Sequence, residues 1–455
     1  MGMRGMAVFL VVGVLGVYAW RNWFIACCGL VVMVGVLKHP SMPTNVAGVQ
    51  GLNPWNLLLV NVFIAWIVNR GNERLRWDMP PMVMVAGGAF LAVIGIGFVR
   101  LMLDQSHLDE ATGLSLVSEE LINTFKWLMP GIILFDGCRT RRRLIGALVS
   151  VMVLYVLLAG QVVKRMPPQA ATTGGPDIHR IRLKVCSQIG YSVPDMSTVL
   201  GGSFWALMAM APLARRRRYQ AMLAVAAPMA FYGQMLTGGR AGYVAFILTG
   251  LLMCLLRWRK GLLLVPILPV VVGLAFPAVA DRATSGMIGV VDPTGAVSFD
   301  EYMMTSGRNL IWPHVVERIE ENPLLGYGRL AMLRTGLRDD LMRLYGEAGA
   351  FPHPHNIYLE WIFDNGVLGL IPVAILFGWF VWHAAVLFRD RTNPWAATAG
   401  GMAFALIVTQ LVAGLGSQHF YPKISTVGMW TVLMLMTRVW VERGRLRPAP
   451  AGVTP

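Results

Sequence analysis

Continuous apolar runs, separated by short polar segments, cover most of this chain. Many of them approach the roughly 20 residues that an α-helix needs to cross a bilayer core of about 30 Å. The runs do not alternate apolar with polar positions, as the strands of a membrane barrel would, and a helix satisfies its own backbone in lipid. We therefore predict an all-α polytopic membrane protein with about 12 transmembrane helices. The predicted spans are residues 6–37, 57–69, 82–101, 121–135, 144–163, 199–213, 219–236, 241–256, 261–278, 357–387, 395–415 and 427–441.

The first apolar run is interrupted by Arg21 and Asn22. We expect it to cross once, as a broken helix, because each half is short for a span and because Arg4 favours the cytoplasmic side. Both termini are then cytoplasmic. If the run crosses twice, there is one more crossing and Arg4 lies outside. Trp20 and Arg21 stand where a signal peptide would need small residues before its cleavage site, so we expect this helix to remain as an anchor.

The composition agrees with a membrane protein. Hydrophobic residues make up 56% of the chain and charged residues 14%, against about 25% charged in soluble domains. The formal charge of +15 could indicate a nucleic-acid partner, but the basic residues fall in alternate short loops, which the positive-inside rule explains more simply. We assign those loops to the cytoplasm; they contain Arg70, Arg74 and Arg76, the segments 138–143, 215–218 and 257–260, Arg389 with Arg391, and the basic tail from Arg443.

The loops between the basic ones are predicted to face the opposite side, which in a bacterium is the periplasm. The longest of them is the longest polar interval in the chain, and any chemistry is expected there. We divide the chain into an N-terminal transmembrane bundle (residues 1–280), this large, partly helical periplasmic loop (281–354), C-terminal transmembrane helices (355–441) and a cytoplasmic tail (442–455).

The large loop enters the next helix through His355 and Asn356. Pro352 and Pro354 disfavour helix just upstream, so His355 should lie near the helix N-terminus. The unpaired N–H groups and the helix dipole favour a neutral imidazole there, which can accept a proton as a general base. The alternative is an interfacial histidine that caps the helix or contacts a lipid headgroup.

Arg240 follows Gly238 and Gly239 in the short turn TGGR between two apolar runs. A cation at a helix N-terminus opposes the helix dipole, so its position indicates a compensating anion. The two glycines let the backbone approach such an anion, and a guanidinium can hold two phosphate oxygens at once. The alternative is an arginine that extends to lipid headgroups.

Arg308 lies in the segment TSGRNLIW, where Ser306 is expected to cap a helix over residues 307–321. Apolar residues recur there at helical spacing, and Asn322 with Pro323 ends the pattern. In the first turn of that helix Arg308 is again placed to bind an anion. An ordinary solvated arginine is the alternative.

Further basic residues occupy the predicted outer loop 164–197, against the positive-inside trend. Arg180 and Arg182 belong to this group, which suggests contact with anionic material, although solvated charge explains any single one of them. Asp339 and Asp340 are adjacent, but no third ligand stands near them in sequence, so we predict no metal site. The five cysteines show neither metal-ligand spacing nor a disulfide framework.

The ordered set TGGR, TSGR-x3-W and HN-x9-G-x2-G resembles the O-antigen ligase and polymerase superfamily of bacterial membrane glycosyltransferases. The last motif runs from His355 to Gly369, and the helix count and the long outer loop extend the resemblance over most of the chain. It implies a helical bundle capped by the periplasmic loop, in the bacterial inner membrane. It also implies transfer of a preassembled glycan from undecaprenyl pyrophosphate to a sugar of the lipid A-core.

By their positions in these motifs, Arg240 and Arg308 are similar to the family's essential arginines, which would bind the donor's pyrophosphate, and His355 is similar to its essential histidine. The resemblance implies inverting transfer without a metal or other cofactor. We expect a monomer with no nucleic-acid partner. Supporting roles are expected for four further residues: Asn356, Gly239, Arg180 and Arg182.

Four alternatives remain open. A polymerase would use the same donor with a second lipid-linked glycan as acceptor. A protein O-oligosaccharyltransferase of the superfamily usually carries more sequence after the last helix. A transporter or flippase would carry charges within its spans, where this chain has few acidic residues. A metal-dependent glycosyltransferase would need carboxylates in outer loops, such as Asp104, Asp109 and Glu110. O-antigen ligase is the predicted function.

Overall fold

Helices dominate the structure, which is a computed structural model. It describes residues 3–38, 42, 51–108, 113–285, 290–291, 297–298, 300, 302, 305–416 and 420–443. Within these ranges the exception to the helical architecture is the two-residue antiparallel pair of β1 (Val290–Val291) and β2 (Val297–Ser298). The all-α fold class is therefore confirmed. Asp109, Glu110 and the predicted tail beyond residue 443 lie outside the described residues.

The helices follow the predicted apolar runs, with α5 continuing through a π-helical segment (Val117–Ile122) into α6. In chain order they are α1 (Met3–Ala19), α2 (Trp23–Met33), α3 (Pro54–Asn72), α4 (Pro81–Leu103), α5 (Gly113–Leu116), α6 (Asn123–Lys126), α7 (Met129–Gly137), α8 (Arg141–Arg165), α9 (Ile178–Ile189), α10 (Val193–Ala209), α11 (Arg217–Thr237), α12 (Arg240–Leu256), α13 (Ile267–Ala275), α14 (Pro277–Thr284), α15 (Arg308–Glu321), α16 (Ala331–Arg334), α17 (Leu337–Tyr345), α18 (Ile357–Arg389), α19 (Pro394–Ala413) and α20 (Val427–Val441).

Among the described residues, six helices are long and apolar enough to cross a membrane, or seven if the bent pair α13 and α14 forms one span. These six are α4, α8, α10, α18, α19 and α20, some of them extended by a 3-10 turn. The apolar helices α1, α2 and α12 are shorter. The pattern is that of a multi-pass membrane protein, and a total of about 12 crossings stays a prediction.

The first apolar run does not form the single broken crossing that we predicted. α1 and α2 meet at residues 20–22 and lie side by side. Their close contact is shown by Gly29 of α2, where an added Cβ atom would lie 2.8 Å from Cδ1 of Leu15 of α1. The side chain of Asn22 accepts a hydrogen bond from the amide of Ile25 at 3.2 Å and so begins α2. Arg21 and Asn22 are therefore turn residues of a helical hairpin.

Two other predicted spans are interrupted. Residues 261–278 contain α13 and the start of α14, whose axes differ by 114° across a break at Phe276. Pro277 begins α14, and a proline cannot donate to the helical hydrogen-bond ladder. Residues 121–135 are divided between the π-helical segment, α6 and α7, with Pro130 in the first turn of α7. The predicted continuity was wrong at both places because the apolar pattern does not show where the helix breaks.

Ion pairs join the helices at the end of the bundle where the predicted cytoplasmic loops meet. Arg438, 1% exposed, donates to both carboxylate oxygens of Asp78 at 2.9 and 2.7 Å. Arg139 donates to the same carboxylate at 2.6 Å, and Arg70 donates to Asp136 at 2.8 Å. These contacts tie α20 to α3, α7 and the loops that follow them.

α18 is broken at Gly366, whose backbone (φ 66°, ψ −179°) suits glycine almost alone. The segment 323–328 inserts at this break. The amide of Tyr327 donates to the carbonyl of Phe363 at 2.9 Å, and the amide of Val367 donates to the carbonyl of Pro323 at 2.8 Å. The inserted segment thus satisfies peptide groups that the broken helix leaves without an internal partner.

The large outer loop has a small hydrophobic core of its own. Ile311 and Val315 of α15 pack with Leu337 and Leu341 of α17, and this cluster rests on Phe363 of α18. The described part of the loop is therefore a folded element that lies against the broken helix.

Candidate functional site

The turn that carries Arg240 is held by close packing. α11 ends at Gly238, which has a left-handed backbone (φ 72°), and α12 begins at Arg240. A Cβ atom on Gly238 would lie 2.5 Å from Cζ of Arg182, and one on Gly239 would lie 2.6 Å from Cβ of Ser197. Both glycines are needed because neighbouring side chains touch the backbone here. Their approach to an anion stays a prediction.

Arg182 supports this turn from inside the protein. Its Nε donates to the carbonyl of Leu236 at 3.0 Å and its Nη2 to the carbonyl of Ala170 at 2.5 Å. The guanidinium therefore satisfies a free carbonyl at the C-terminal end of α11. Arg180, by contrast, has a side chain that is 87% exposed and pairs with Asp177 at 3.6 Å. The structure does not bring Arg180 to the turn.

The structure brings Arg240 and Arg308 together. Nη2 of Arg240 donates to the hydroxyl of Ser306, and its Nη1 donates to the carbonyl of Ser285 at 3.1 Å. Arg308 is the first residue of α15 and donates to the carbonyl of Gly416 at 2.8 Å. Ser306 does not cap α15 as we predicted, because its hydroxyl accepts the bond from Arg240. Four segments of the chain that are distant in sequence thus meet at the two guanidinium groups.

Neither of these arginines is neutralised by a carboxylate. No described acidic side chain lies within 4.0 Å of either guanidinium, and Nε of Arg308 is buried without a hydrogen-bond partner. Burial and then the positive charge of Arg240 lower the pKa of Arg308. Two cations held close together without a counter-ion form a position that favours an anion.

His355 stands immediately before α18. Asn356 is the N-cap residue, and its side-chain oxygen accepts from the amides of Tyr358 at 3.0 Å and Leu359 at 3.3 Å. His355 has a left-handed backbone (φ 51°), which is uncommon for a residue with a Cβ atom. The histidine thus lies where the flanking prolines predict it, whereas its catalytic role stays a prediction.

Two contacts connect His355 with the segment that begins α15. Trp312 donates its Nε1 to the carbonyl of Pro354 at 2.9 Å. The ring of Phe351 packs edge-on against the imidazole of His355, with 5.2 Å between centroids, and lies 3.7 Å from a Cβ atom placed on Gly307. The histidine therefore lies close to the segment that carries Ser306 and Arg308.

A buried group of charges beside the break in α18 was missed in the sequence. The guanidinium of Arg329 contacts Glu120 at 2.7 Å, Asp364 at 3.3 Å and Glu360 at 3.4 Å, and it lies 3.6 Å from the ring centre of Tyr421. Glu360 and Asp364 are four residues apart, a spacing that places both on one helix face. Their common partner is 31 and 35 residues away in sequence, and no motif indicates it.

The adjacent acids of the outer loop are used in ion pairs. Asp339 contacts His107 at 3.4 Å, and Asp340 contacts Arg343 at 3.6 Å. In the part of the chain that the structure describes, no group of three or more His, Cys, Asp or Glu side chains could hold a metal ion.

Fold and site together define a multi-pass helical membrane protein in which two arginines and a histidine lie at the starts of α12, α15 and α18. Residues 224–374, which include all three, match the family described as O-antigen ligase. An O-antigen ligase of Pseudomonas aeruginosa is 26% identical over 159 residues, which are 33% of this chain and 35% of that protein. A provisionally named polysaccharide ligase of Rickettsia conorii is 25% identical over 235 residues, 50% of each chain. This chain therefore spans half or less of the relatives it matches.

Residues 224–374 are therefore similar to the O-antigen ligase family. The resemblance that rests on the TGGR, TSGR and His-Asn motifs is thereby confirmed.

Proposed function

We propose that this protein is a membrane glycosyltransferase that moves a preassembled glycan from undecaprenyl pyrophosphate to a sugar of the lipid A-core. The active site faces the periplasm from the bacterial inner membrane. Arg240 and Arg308 hold the donor's diphosphate, and His355 is the general base. The two relatives, both named as ligases, support a ligase, and the family match supports an enzyme of the ligase or polymerase type.

The arginine pair is the observation that carries this proposal. Two guanidinium groups without carboxylate partners among the described residues come from α12 and α15, at helix starts rather than within a span. A diphosphate has enough oxygens to bind both at once. A transporter would instead need charged groups along a path through its spans.

The proposed reaction is a direct displacement at the anomeric carbon. The acceptor hydroxyl attacks this carbon while His355 takes the hydroxyl proton. The bond from the anomeric carbon to the diphosphate oxygen breaks, and its electron pair goes to the leaving diphosphate. A single displacement inverts the anomeric centre. Because the arginines stabilise the negative charge that grows on the leaving group, we expect turnover in the presence of a strong chelator.

The test is transfer by the purified protein in detergent, with a lipid-linked glycan as donor, lipid A-core as acceptor and chelator present. The wild type should give a shifted glycolipid band, and His355→Asn should lower the rate by about a hundredfold or more. Asparagine tolerates the left-handed backbone at this position. The variant should therefore keep the melting temperature of the wild type.

The matched control is His314→Asn, because His314 lies on α15 and contacts Glu317 at 3.7 Å and the hydroxyl of Tyr345 at 3.1 Å. This control should transfer at the wild-type rate. Near-normal transfer by His355→Asn would contradict the assignment of His355 as the general base. Lengthening of the donor glycan without any lipid A-core product would assign a polymerase, and no product of either kind would contradict a transferase.

A further inference from the structure

Arg282 of α14 lies near Arg240. The carbonyl of Ser285, three residues after Arg282, accepts from Nη1 of Arg240 at 3.1 Å. At the start of α14 the amide of Ala278 donates to the carbonyl of Thr172 at 3.1 Å. Val279, which is 3% exposed, and Arg282 are three residues apart and share one face of the helix. Arg282 therefore lies on the face that α14 turns toward the protein.

Arg282 is half-buried, and among the residues that the structure describes its guanidinium forms no ion pair or hydrogen bond. Its charge nevertheless reaches Arg240, and it acts together with Arg182 on His179, whose pKa is lowered first by burial and then by these two charges. A further unpaired cation thus adjoins the candidate diphosphate site.

The charge of the diphosphate changes during the proposed reaction. In the donor one phosphate is esterified to the lipid and the other to the glycan, and an anhydride oxygen joins them, so the group carries about two negative charges. When the glycan leaves, the terminal phosphate gains a free oxygen, and the product carries about one negative charge more. Two arginines match the donor, and a third would match the product. A cation already in place when this charge develops needs no rearrangement to stabilise it.

We propose that Arg282 is a third diphosphate-binding residue, which contacts the leaving group as its negative charge grows. This inference rests on the proposed function. It gives a role to the bent segment: α14 follows the 114° bend at Phe276, and Arg240 holds its C-terminal end through the carbonyl of Ser285. The end of α14 that carries Arg282 is therefore fixed next to Arg240.

The experiment compares Arg282→Gln with the wild type, both purified in detergent. Binding of undecaprenyl pyrophosphate without a glycan is measured by direct titration, and donor KM and kcat are measured in the transfer assay. Loss of one charge-assisted contact should weaken binding of this product about tenfold and lower kcat by a similar factor. Donor KM should change by less than about threefold, because the donor carries less charge.

Arg343→Gln is the matched control, because it removes the same charge from a side chain that is 81% exposed and paired with Asp340. It should change neither product binding nor kcat. Since Arg282 forms no hydrogen bond or ion pair within the described ranges, Arg282→Gln should melt at the wild-type temperature. Should it lose the fold, Arg282→Met keeps the apolar stem of the side chain and takes its place with the same expected results.

Unchanged product binding in Arg282→Gln would overturn the proposal that Arg282 binds the diphosphate, and it would not contradict the proposed function. A wild type that binds undecaprenyl pyrophosphate but transfers no glycan would contradict the proposed reaction, while the comparison of the two proteins would still decide the role of Arg282. A wild type that does not bind undecaprenyl pyrophosphate would contradict both.

Discussion

Arginines that look alike in the sequence differ in where their donors point. Arg182 gives its guanidinium to two backbone carbonyl groups and supports a turn. Arg240 and Arg308 use only some of their N–H groups to bind carbonyl and hydroxyl groups, and Nε of Arg308 has no hydrogen-bond partner among the described residues. The motifs identified these side chains as candidates. The motifs could not show which arginine supports a turn and which is placed to bind an anion, because the difference depends on which carbonyl oxygens the fold brings near each guanidinium. Arg180 shows the same limit, since it lies on the exposed side of α9.

Replacement of Arg240 by lysine tests whether the shape of the guanidinium matters. Arg240→Lys should lower kcat about a hundredfold, because one ammonium group cannot keep the bonds to Ser306 and Ser285 and also bind two phosphate oxygens. Steady-state transfer is the measurement, with Arg343→Lys as a control of unchanged rate. A lysine variant that keeps a third or more of the wild-type kcat would mean that charge alone is sufficient.

At the scale of elements, the two glycines of the His-Asn motif are explained by packing around the broken helix. Gly366 forms the break that receives the segment 323–328, and a Cβ atom on Gly369 would lie 2.5 Å from Cβ of Asn365. The sequence pattern located both glycines and the start of α18. It could not show the insertion, because the partner peptide groups come from a segment that is distant along the chain and carries no apolar periodicity.

The insertion makes a testable difference between two glycines of one helix. A Cβ atom at Gly366 would lie 2.1 Å from the carbonyl oxygen of Leu324, whereas one at Gly378 would meet nothing within 4 Å. Gly366→Ala should therefore lose about 3 kcal/mol or more through steric clash and backbone strain. Gly378→Ala should be neutral or slightly stabilising, since alanine favours helix. Thermal unfolding in detergent measures both, and equal melting temperatures would contradict the insertion.

At the scale of the whole molecule, the candidate site and the basic loops lie at opposite ends of the same helices. α12 begins at Arg240 and ends next to Arg257, which donates to the carbonyls of Phe388 and Asp390 at the far end of α18. α18 itself begins beside His355. This arrangement agrees with the alternation of basic and non-basic loops in the sequence, while the orientation in a membrane stays a prediction. The hairpin of α1 and α2 and the bend before α14 were not predicted, because an apolar run does not show where the helix axis changes direction.

Ion pairs hold together the end of the bundle opposite the site, and the half-buried Asp78 pairs with both Arg139 and Arg438. Burial acts to raise the pKa of Asp78, but hydrogen bonds from Arg438 and Arg139 lower it to about 2. The carboxylate therefore contributes stability above its ordinary pKa of about 4, and this contribution is lost as the pH falls toward 2. Asp78→Asn leaves Arg438 buried without that partner and should cost about 3 kcal/mol at neutral pH.

Thermal unfolding from about pH 8 down to about pH 2 checks this expectation. The melting temperature of Asp78→Asn should lie below that of the wild type by a constant amount at the higher values, and the two should converge as the carboxylate is protonated. Asp177→Asn is the matched control, because its side chain is 74% exposed and its pair with Arg180 is worth at most about 1 kcal/mol. Equal losses in the two variants would mean that buried charge does not hold this end of the bundle together.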